Sequence, residues 1–369
     1  MYYPPVIRRF YVHNYRCLEN FELSLADQPS ALLIGKNGSG KTTVGLALEV
    51  LQKIARGTNR VGDLVRPMDL GRPSVPMRFE VEYATPNGFF RYAVALELPE
   101  GFRELRILEE KLSLGTTPIY TREVENVQLG NTHFVMDWHL VALPIIKEHT
   151  PKSVVSTVKE WLGRMLILRP IPSLITGDSE GDTLQPSPRV DNFGAWFSGL
   201  LAHSPSAYNK VDEYLKQVMP DLSDIKNPLM GGEFRRLSVH FSDKSKGTLT
   251  LPFADLADGE KCFMICALVL AANSVYGPLV CFWDEPDNYL APSEVGHFVV
   301  ALRKAFQSGG QFIATSHNTE AIASFSDENT FKLFRNSHLE PTIIRSVKEV
   351  RASGDFSGDL VDAVVRGDV

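Results

Sequence analysis

Residues able to carry out phosphate chemistry gather at four places in the chain. The first, Gly35-Lys36-Asn37-Gly38-Ser39-Gly40-Lys41-Thr42-Thr43, fits the pattern G-x-x-x-x-G-K-[ST]. Glycines at this spacing let backbone N–H groups point at phosphate oxygens with no Cβ in the way. A helix starting where the loop ends turns its positive end toward the same charge. In this pattern Lys41 reaches the β and γ phosphates and the Thr42 hydroxyl ligates Mg²⁺. The second place is Leu279 to Asp287, an apolar run that ends in Asp284 and Glu285. Ionised carboxylates beside a core need a partner. A Mg-nucleotide supplies one, with Asp284 holding the ion, directly or through water, and Glu285 orienting a water toward the γ-phosphate. The third is Gln311 to Asn318, where His317 directly follows a buried strand at the sheet edge that collects ligands in open α/β folds; it reads as a γ-phosphate sensor. The fourth is Leu256-Ala257-Asp258-Gly259-Glu260-Lys261. Alone it is an ordinary helix start, but it lies about one βα unit before the acidic strand.

The elements that must position these residues follow from hydrophobic periodicity. Apolar Ala31 to Ile34 has strand character and Val44 to Ile54 reads as a helix, the context that a phosphate loop requires. Two short strands, Val6 to Val12 and Phe21 to Leu25, flank the turn from His13 to Leu18. Met77 to Tyr83 and Phe89 to Leu98 alternate around Thr85-Pro86-Asn87-Gly88, a hairpin signal, and further strands are expected at Ile107 to Leu114 and Thr132 to Trp138. Helices are expected at Ser153 to Arg164, Phe193 to His203 and Ser206 to Val218, with a strand at Met165 to Leu168 and an exposed polar loop at Gly177 to Pro188. Strands at Phe234 to Phe241 and Thr248 to Leu251 follow. The chain then alternates: helix Gly259 to Asn273, strand Leu279 to Asp284, helix Pro292 to Phe306, strand Gln311 to Thr315. The expected fold is α/β, a P-loop NTPase with a mainly parallel core sheet drawn from both ends of the chain. Its parts are 1–56 plus 250–347 as the core, 77–140 as an antiparallel β subdomain, 151–232 as a helical insertion and 348–369 as a tail.

With 369 residues, 44% hydrophobic and 22% charged, the chain has ample core for one large or two medium domains. A net charge of −6 excludes a globally basic nucleic-acid binder, though not a local basic patch. One such patch is the connection from Arg56 to Pro76, with Arg56, Arg60, Arg66 and Arg72 against Asp63 and Asp69; it reads either as a solvated loop or as a phosphate-backbone contact. Cys262 and Cys266 share a helix face, yet no second Cys or His pair stands nearby, so buried thiols are expected rather than a metal site. The longest apolar run is about half of what spans a bilayer. Reduced cysteine usage and the lack of a secretory segment point to a soluble, cytoplasmic chain.

The order of motifs resembles the ATP-binding-cassette (ABC) ATPases of the RecF, SMC and OLD branch, over roughly residues 5 to 56 and 250 to 335. The resemblance implies ATP and Mg²⁺ as ligands, an ABC ATPase head as the fold, and hydrolysis to ADP and phosphate. By position, Gly35, Asn37, Gly38, Ser39, Gly40, Lys41, Thr42 and Thr43 become the Walker A loop. Asp284 and Glu285 become Walker B, with Glu285 as catalytic base; Asp287 to Leu290 becomes the D-loop and His317 the switch histidine. Asn14 and Arg16 fall in a turn that this branch places near the nucleotide. Leu256 to Lys261, with Ala257, Asp258, Gly259 and Glu260, becomes the signature that binds the γ-phosphate held by a second protomer, so a head-to-tail homodimer on ATP is implied. Here Ala257 stands where serine is usual and Asp258 where glycine is common. Gln52 and Gln128 are both open as the Q-loop glutamine.

A long coiled coil is excluded, and only 52 residues follow His317, too few for the nuclease domain of OLD relatives. Asp355, Asp359 and Asp362 read as part of an exposed tail rather than as metal ligands. Two functions remain open: an ATPase whose cycle acts on DNA or controls a separate effector, in repair or anti-phage defence, and a nucleotide-controlled interaction switch with little hydrolysis, the regulatory half of a toxin or nuclease pair. The ATPase subunit of a membrane transporter fits less well, because such subunits lack an insertion of this kind, and no membrane partner is expected.

Overall fold

Alternation of buried with more exposed side chains, as in Phe21–Ser24 and the first seven residues of Met77–Thr85, is the mark of strands with one face on a core. The computed structural model describes residues 6–25, 28–85, 88–147, 153–243, 245–354, 358 and 360–366. They divide into two compact units, residues 1–165 with 325–369, and residues 166–324.

The first unit contains an eight-stranded antiparallel sheet in the order Phe21–Ser24, Val6–His13, Met77–Thr85, Gly88–Glu97, Arg106–Leu114, Thr117–Glu123, Asn126–Leu129, Thr132–Val135. The two N-terminal strands, grouped by sequence with the nucleotide-binding core, thus belong to this sheet, with Phe10 opposite Val81. Pro86 and Asn87 of the expected hairpin turn lie outside the described residues, but the flanking strands pair with Thr85 opposite Gly88. Two hairpin strands, Thr117–Glu123 and Asn126–Leu129, were not anticipated. A buried ionic cluster ties the end of this region to the sheet. Glu110 accepts from the hydroxyls of Tyr92 (3.0 Å) and Tyr120 (2.7 Å) and from the N–H groups of Ala142 and Leu143, while Arg122 donates to the carbonyls of Val124, Asp137 and Leu140. Both side chains are fully buried, so every lone pair or proton they use must come from these partners.

The same unit holds strand Ser30–Ile34, parallel to Thr330–Phe334, which in turn pairs antiparallel with Ile343–Ser346. Helix Lys41–Ala55 follows the glycine-rich loop, and helix Val154–Gly163 packs against it. The stretch expected as a tail carries the helices Val347–Ala352 and Leu360–Arg366, with Val347, Val350, Leu360 and Ala363 buried; Asp362 is exposed, and Asp355 and Asp359 lie outside the described residues.

The second unit is built on three parallel strands, Leu166–Leu168, Val280–Trp283 and Gln311–Thr315, with Val280–Trp283 in the middle. Helix Asp258–Val275 is apolar nearly all round and buries twelve of its residues, the pattern of a helix covered on every side. Ala207–Val218 and Phe193–His203 pack on it. The expected strand Phe234 to Phe241 is broken at the buried Leu237 into Phe234–Arg236 and Ser238–Asp243, which join different three-stranded sheets. The Gly177 to Pro188 stretch is not an exposed loop. Asp178–Glu180 pairs with Phe234–Arg236, and the helix Phe193–His203 presents Gly194 and Gly199, where a Cβ would lie 2.3 Å from the Gly177 carbonyl oxygen and 2.2 Å from that of Thr183. Only bare backbone lets the stretch dock so closely.

Candidate functional site

In the first unit, the five buried residues of Ser30–Ile34 deliver the chain into the phosphate-type loop. Gly35 has φ of +149° and a Cβ there would fall 2.1 Å from the Leu333 carbonyl oxygen; Gly40 has φ of +103°, and its Cβ would meet Thr342 Oγ1 at 2.7 Å. Both positions demand glycine on space and dihedral alike. Helix Lys41–Ala55 starts at once, with no side-chain cap and no acidic residue in its first turn, so its leading amides and positive end are left for an anion. Lys41 is buried and lies along the loop, donating to the carbonyls of Gly35 (2.8 Å) and Lys36 (3.4 Å). Ser39 is only 3% exposed, and its Oγ has no partner among the described residues. A buried hydroxyl in that condition suits a phosphate oxygen. Asn37, Gly38 and Thr42 are exposed, and the Thr43 hydroxyl lies 3.7 Å from Cys17 Sγ. A cavity of about 280 Å³ opens beside Gly35–Ser39, walled on its other side by Lys332–His338.

The turn containing Asn14 and Arg16 holds both residues at φ of +53°. Asn14 is buried, and its amide accepts from Arg72 N–H (2.7 Å) and donates to the carbonyls of Arg72 and Val75. Arg16 pairs with Asp69 at 2.9 Å. These side chains shape the 69–75 loop, Asn14 with its whole amide. Gln52 is buried and donates to the Met165 carbonyl, whereas Gln128 is an exposed residue of a peripheral strand.

In the second unit, the buried strand Val280–Trp283 ends at Asp284, whose N–H donates to the Leu168 carbonyl of the next strand. Three consecutive residues then hold three carboxylates. Thr315 Oγ1 donates to Asp284 Oδ1 (2.7 Å) and accepts from Glu285 N–H (2.9 Å). Ser316 Oγ donates to Asp287 Oδ2 at 2.7 Å. His317 Nε2 stands 3.4 Å from Glu285 Oε1, while Asn288 donates to Glu285 Oε2 at 2.5 Å. Glu285 adopts φ of +49°, a strained conformation for a side chain of its size and one that gathers at functional sites. Asp287 is 5% exposed; burial pushes its carboxyl above the ordinary range, against the pull of Ser316, and its Oδ1 has no partner among the described residues.

Ala257 and Asp258 are exposed at the start of helix Asp258–Val275, and the Glu260 carboxylate turns back to accept from Ala257 N–H at 2.8 Å. Gly259 packs on the D-loop candidate: a Cβ there would be 2.9 Å from the Tyr289 carbonyl oxygen.

Residues 30–323 match the family described as "AAA domain, putative AbiEii toxin, Type IV TA system". The chain belongs to this family. It is also 35% identical over 81 residues to the chromosome partition protein Smc of Chlorobaculum tepidum, a match spanning 22% of this chain and 7% of that protein. Among solved structures it is similar to an Smc head bound to the C-terminal winged-helix domain of ScpA, with TM-score 0.57, 14% identity, and coverage of 94% of this chain and 99% of that one. It is likewise similar to a head with an extended coiled coil bound to the C-terminal domain of ScpA, derived from Pyrococcus furiosus, with TM-score 0.55, 12% identity, and coverage of 95% and 98%. The chain is thus an AAA-domain protein with the fold of the Smc heads. No helix among the described residues is long and apolar enough to cross a membrane.

Sequence reading assigned no role to Thr315, Ser316, Arg335 or Thr342. The first two stood within the quoted Gln311 to Asn318 stretch, so their hydroxyl chemistry was available. Arg335 and Thr342 carry no local signal, because the loop carbonyls they reach, those of Gly38 and Ser39, lie some 300 residues away.

Proposed function

We propose that this AAA-family chain binds and hydrolyses ATP, with Gly35, Asn37, Gly38, Ser39, Gly40, Lys41, Thr42 and Thr43 taking the phosphates. Thr42 and Asp284 would hold Mg²⁺, which when bound offsets the charge of the phosphate oxygens. The donor set fits: a hydroxyl and a carboxylate are the hard oxygen ligands this ion prefers. Glu285 accepts the proton of the attacking water, and His317 keeps that carboxylate oriented and senses the γ-phosphate. The single observation that carries the reading is the Glu285 carboxylate, gripped on one oxygen by His317 and on the other by Asn288. A surface carboxylate has no need of two fixed neighbours; a base aimed at one water does.

Ala257, Asp258, Gly259 and Glu260 reach the nucleotide of a second copy in an ATP-dependent homodimer, a role supported by the exposure of Ala257 and Asp258 at a helix start. The cycle acts on DNA or on a separate effector protein. For DNA, the support lies in Arg60 and Arg66, both exposed, whereas Arg16 is paired with Asp69 and Arg72 with Glu19. Arg60→Glu with Arg66→Glu then weakens duplex binding and flattens its salt dependence; unchanged binding removes the DNA contact.

A second reading, a switch that barely hydrolyses, is favoured by the exposed Asp258, a carboxylate where an anion would have to approach. Steady-state ATP turnover with and without duplex DNA, beside Lys41→Ala and Glu285→Gln, separates the two. A rate abolished by both substitutions supports the ATPase; a negligible wild-type rate with retained ATP binding supports the switch.

A further inference from the structure

We infer that Thr342, assisted by Arg335, is a positioning residue for the phosphate loop, presetting the backbone amide of Gly40 for a phosphate oxygen. The inference rests on the reading of that loop as the ATP site and adds to it a part of the chain that no motif marks. Thr342 is 4% exposed and donates two hydrogen bonds, one from its backbone and one from its side chain. Its N–H donates to the Cys17 carbonyl (2.8 Å), and its Oγ1 donates to the Ser39 carbonyl (2.9 Å). One residue therefore joins the 13–18 turn to the glycine-rich loop.

The consequence follows from peptide planarity. The C=O of Ser39 and the N–H of Gly40 share one plane and point in opposite directions. Fixing the carbonyl outward on Thr342 fixes the amide inward, at the residue that precedes helix Lys41–Ala55. Gly40 is free to rotate as few residues are, since its φ of +103° is accessible mainly to glycine, so an external anchor matters most there. Arg335 adds a weaker anchor one peptide earlier. Its guanidinium donates to the carbonyls of Gly38 (3.3 Å), His338 and Glu340 (2.8 Å), tying the loop to the 335–342 segment. The fit is close: a Cβ on Gly40 would strike Thr342 Oγ1 at 2.7 Å.

The test measures ATP and ADP affinity of the full-length chain with Mg²⁺ by calorimetry, together with the melting temperature without nucleotide. Thr342→Val keeps the shape and removes the donor; Thr342→Ser keeps the donor. Expected results are a three- to tenfold weaker Kd for Thr342→Val, the range set by one neutral hydrogen bond, near-complete rescue by Thr342→Ser, and a smaller loss for Arg335→Met. A lower melting temperature with unchanged Kd in Thr342→Val, or a Ser variant as weak as the Val variant, overturns the inference. Should Thr342→Val fail to fold, the Ser and Arg335→Met affinities still decide it, because wild-type values in Arg335→Met combined with a weakened Ser variant contradict hydroxyl anchoring. Wild-type protein without ATP affinity overturns the underlying site assignment instead, so the two failures are distinguishable.

Discussion

The phosphate loop and the carboxylate cluster solve opposite problems by opposite means. The loop must present N–H groups to a large anion, and it is built from backbone: two glycines that tolerate no Cβ, an uncapped helix start, and one buried hydroxyl with no partner among the described residues. The cluster must hold negative charge steady, and it is built from side chains: Thr315, Ser316 and His317 in succession, each on a different carboxylate. The loop should therefore be sensitive to changes in backbone freedom. The cluster should be sensitive to the loss of single polar atoms while its backbone stays intact.

The largest effect expected is on turnover. Glu285→Gln preserves shape and the Asn288 contact in altered polarity but removes the base, so kcat should fall about 100-fold or more, while ATP Kd stays within about threefold. A Kd that collapses with kcat would mean that the cluster contributes to binding, and the division of labour would fail. Next, Gly40→Ala attacks the loop through a single methyl. A non-glycine residue at φ of +103° costs roughly 1–3 kcal/mol, and the methyl also strikes Thr342, so ATP affinity should fall about 10- to 100-fold with the melting temperature lowered by only a few degrees. Unimpaired binding would show that the loop reorganises and is not preset. A smaller effect is expected of Thr315→Val. It leaves Asp284 Oδ1 and Glu285 N–H without their shared hydroxyl, which should lower kcat about tenfold and weaken Mg²⁺ dependence with little change in nucleotide affinity.

The glycine-rich loop, the strand ending in Asp284 and Glu285, and the alternation of helices and strands from 258 to 315 were readable because each is a local pattern, set by spacing within one element. The boundaries of helices Phe193–His203 and Pro292–Gln307 agree with the periodicity to within a residue. What the sequence did not disclose depends on contacts distant along the chain. Leu237 breaks an apparently continuous strand because its buried side chain separates two small sheets. Gly177 to Pro188 looks polar enough for solvent, yet it docks on a helix that supplies two glycines for it. The strands Thr117–Glu123 and Asn126–Leu129 were missed although Gly115 and Gly130, each at φ of +56°, mark their turns; the strands are short and mixed in polarity, so the alternation was too brief to read. Thr342 is the extreme case, since an ordinary threonine acquires its role only through the carbonyl it finds at Ser39.

The smallest of the expected effects tests the same contrast through the four cysteines. Cys17 is half-buried beside the loop, with its Sγ 3.0 Å from where a Cβ on Gly40 would lie, whereas Cys262, Cys266 and Cys281 are buried under the carboxylate cluster's own unit. Burial pushes the Cys262 thiol up to about 12 and the other two further still. The thiolate is the reactive form, so at pH 8 only about one Cys262 in ten thousand is in that form, and raising the pH to 9 gains a factor of about ten without making the group competitive. Native protein should thus take up one equivalent of a small alkylating reagent, at Cys17, and four after denaturation, as counted by intact mass. Saturating Mg-ATP should slow the reaction at Cys17, since an occupied loop holds Gly40 and Thr43 more tightly around the sulfur. Rapid native labelling of two or more thiols would mean that helix Asp258–Val275 opens readily. The cluster would then rest on a mobile support, and the preset character assigned here to both regions would hold for the loop alone.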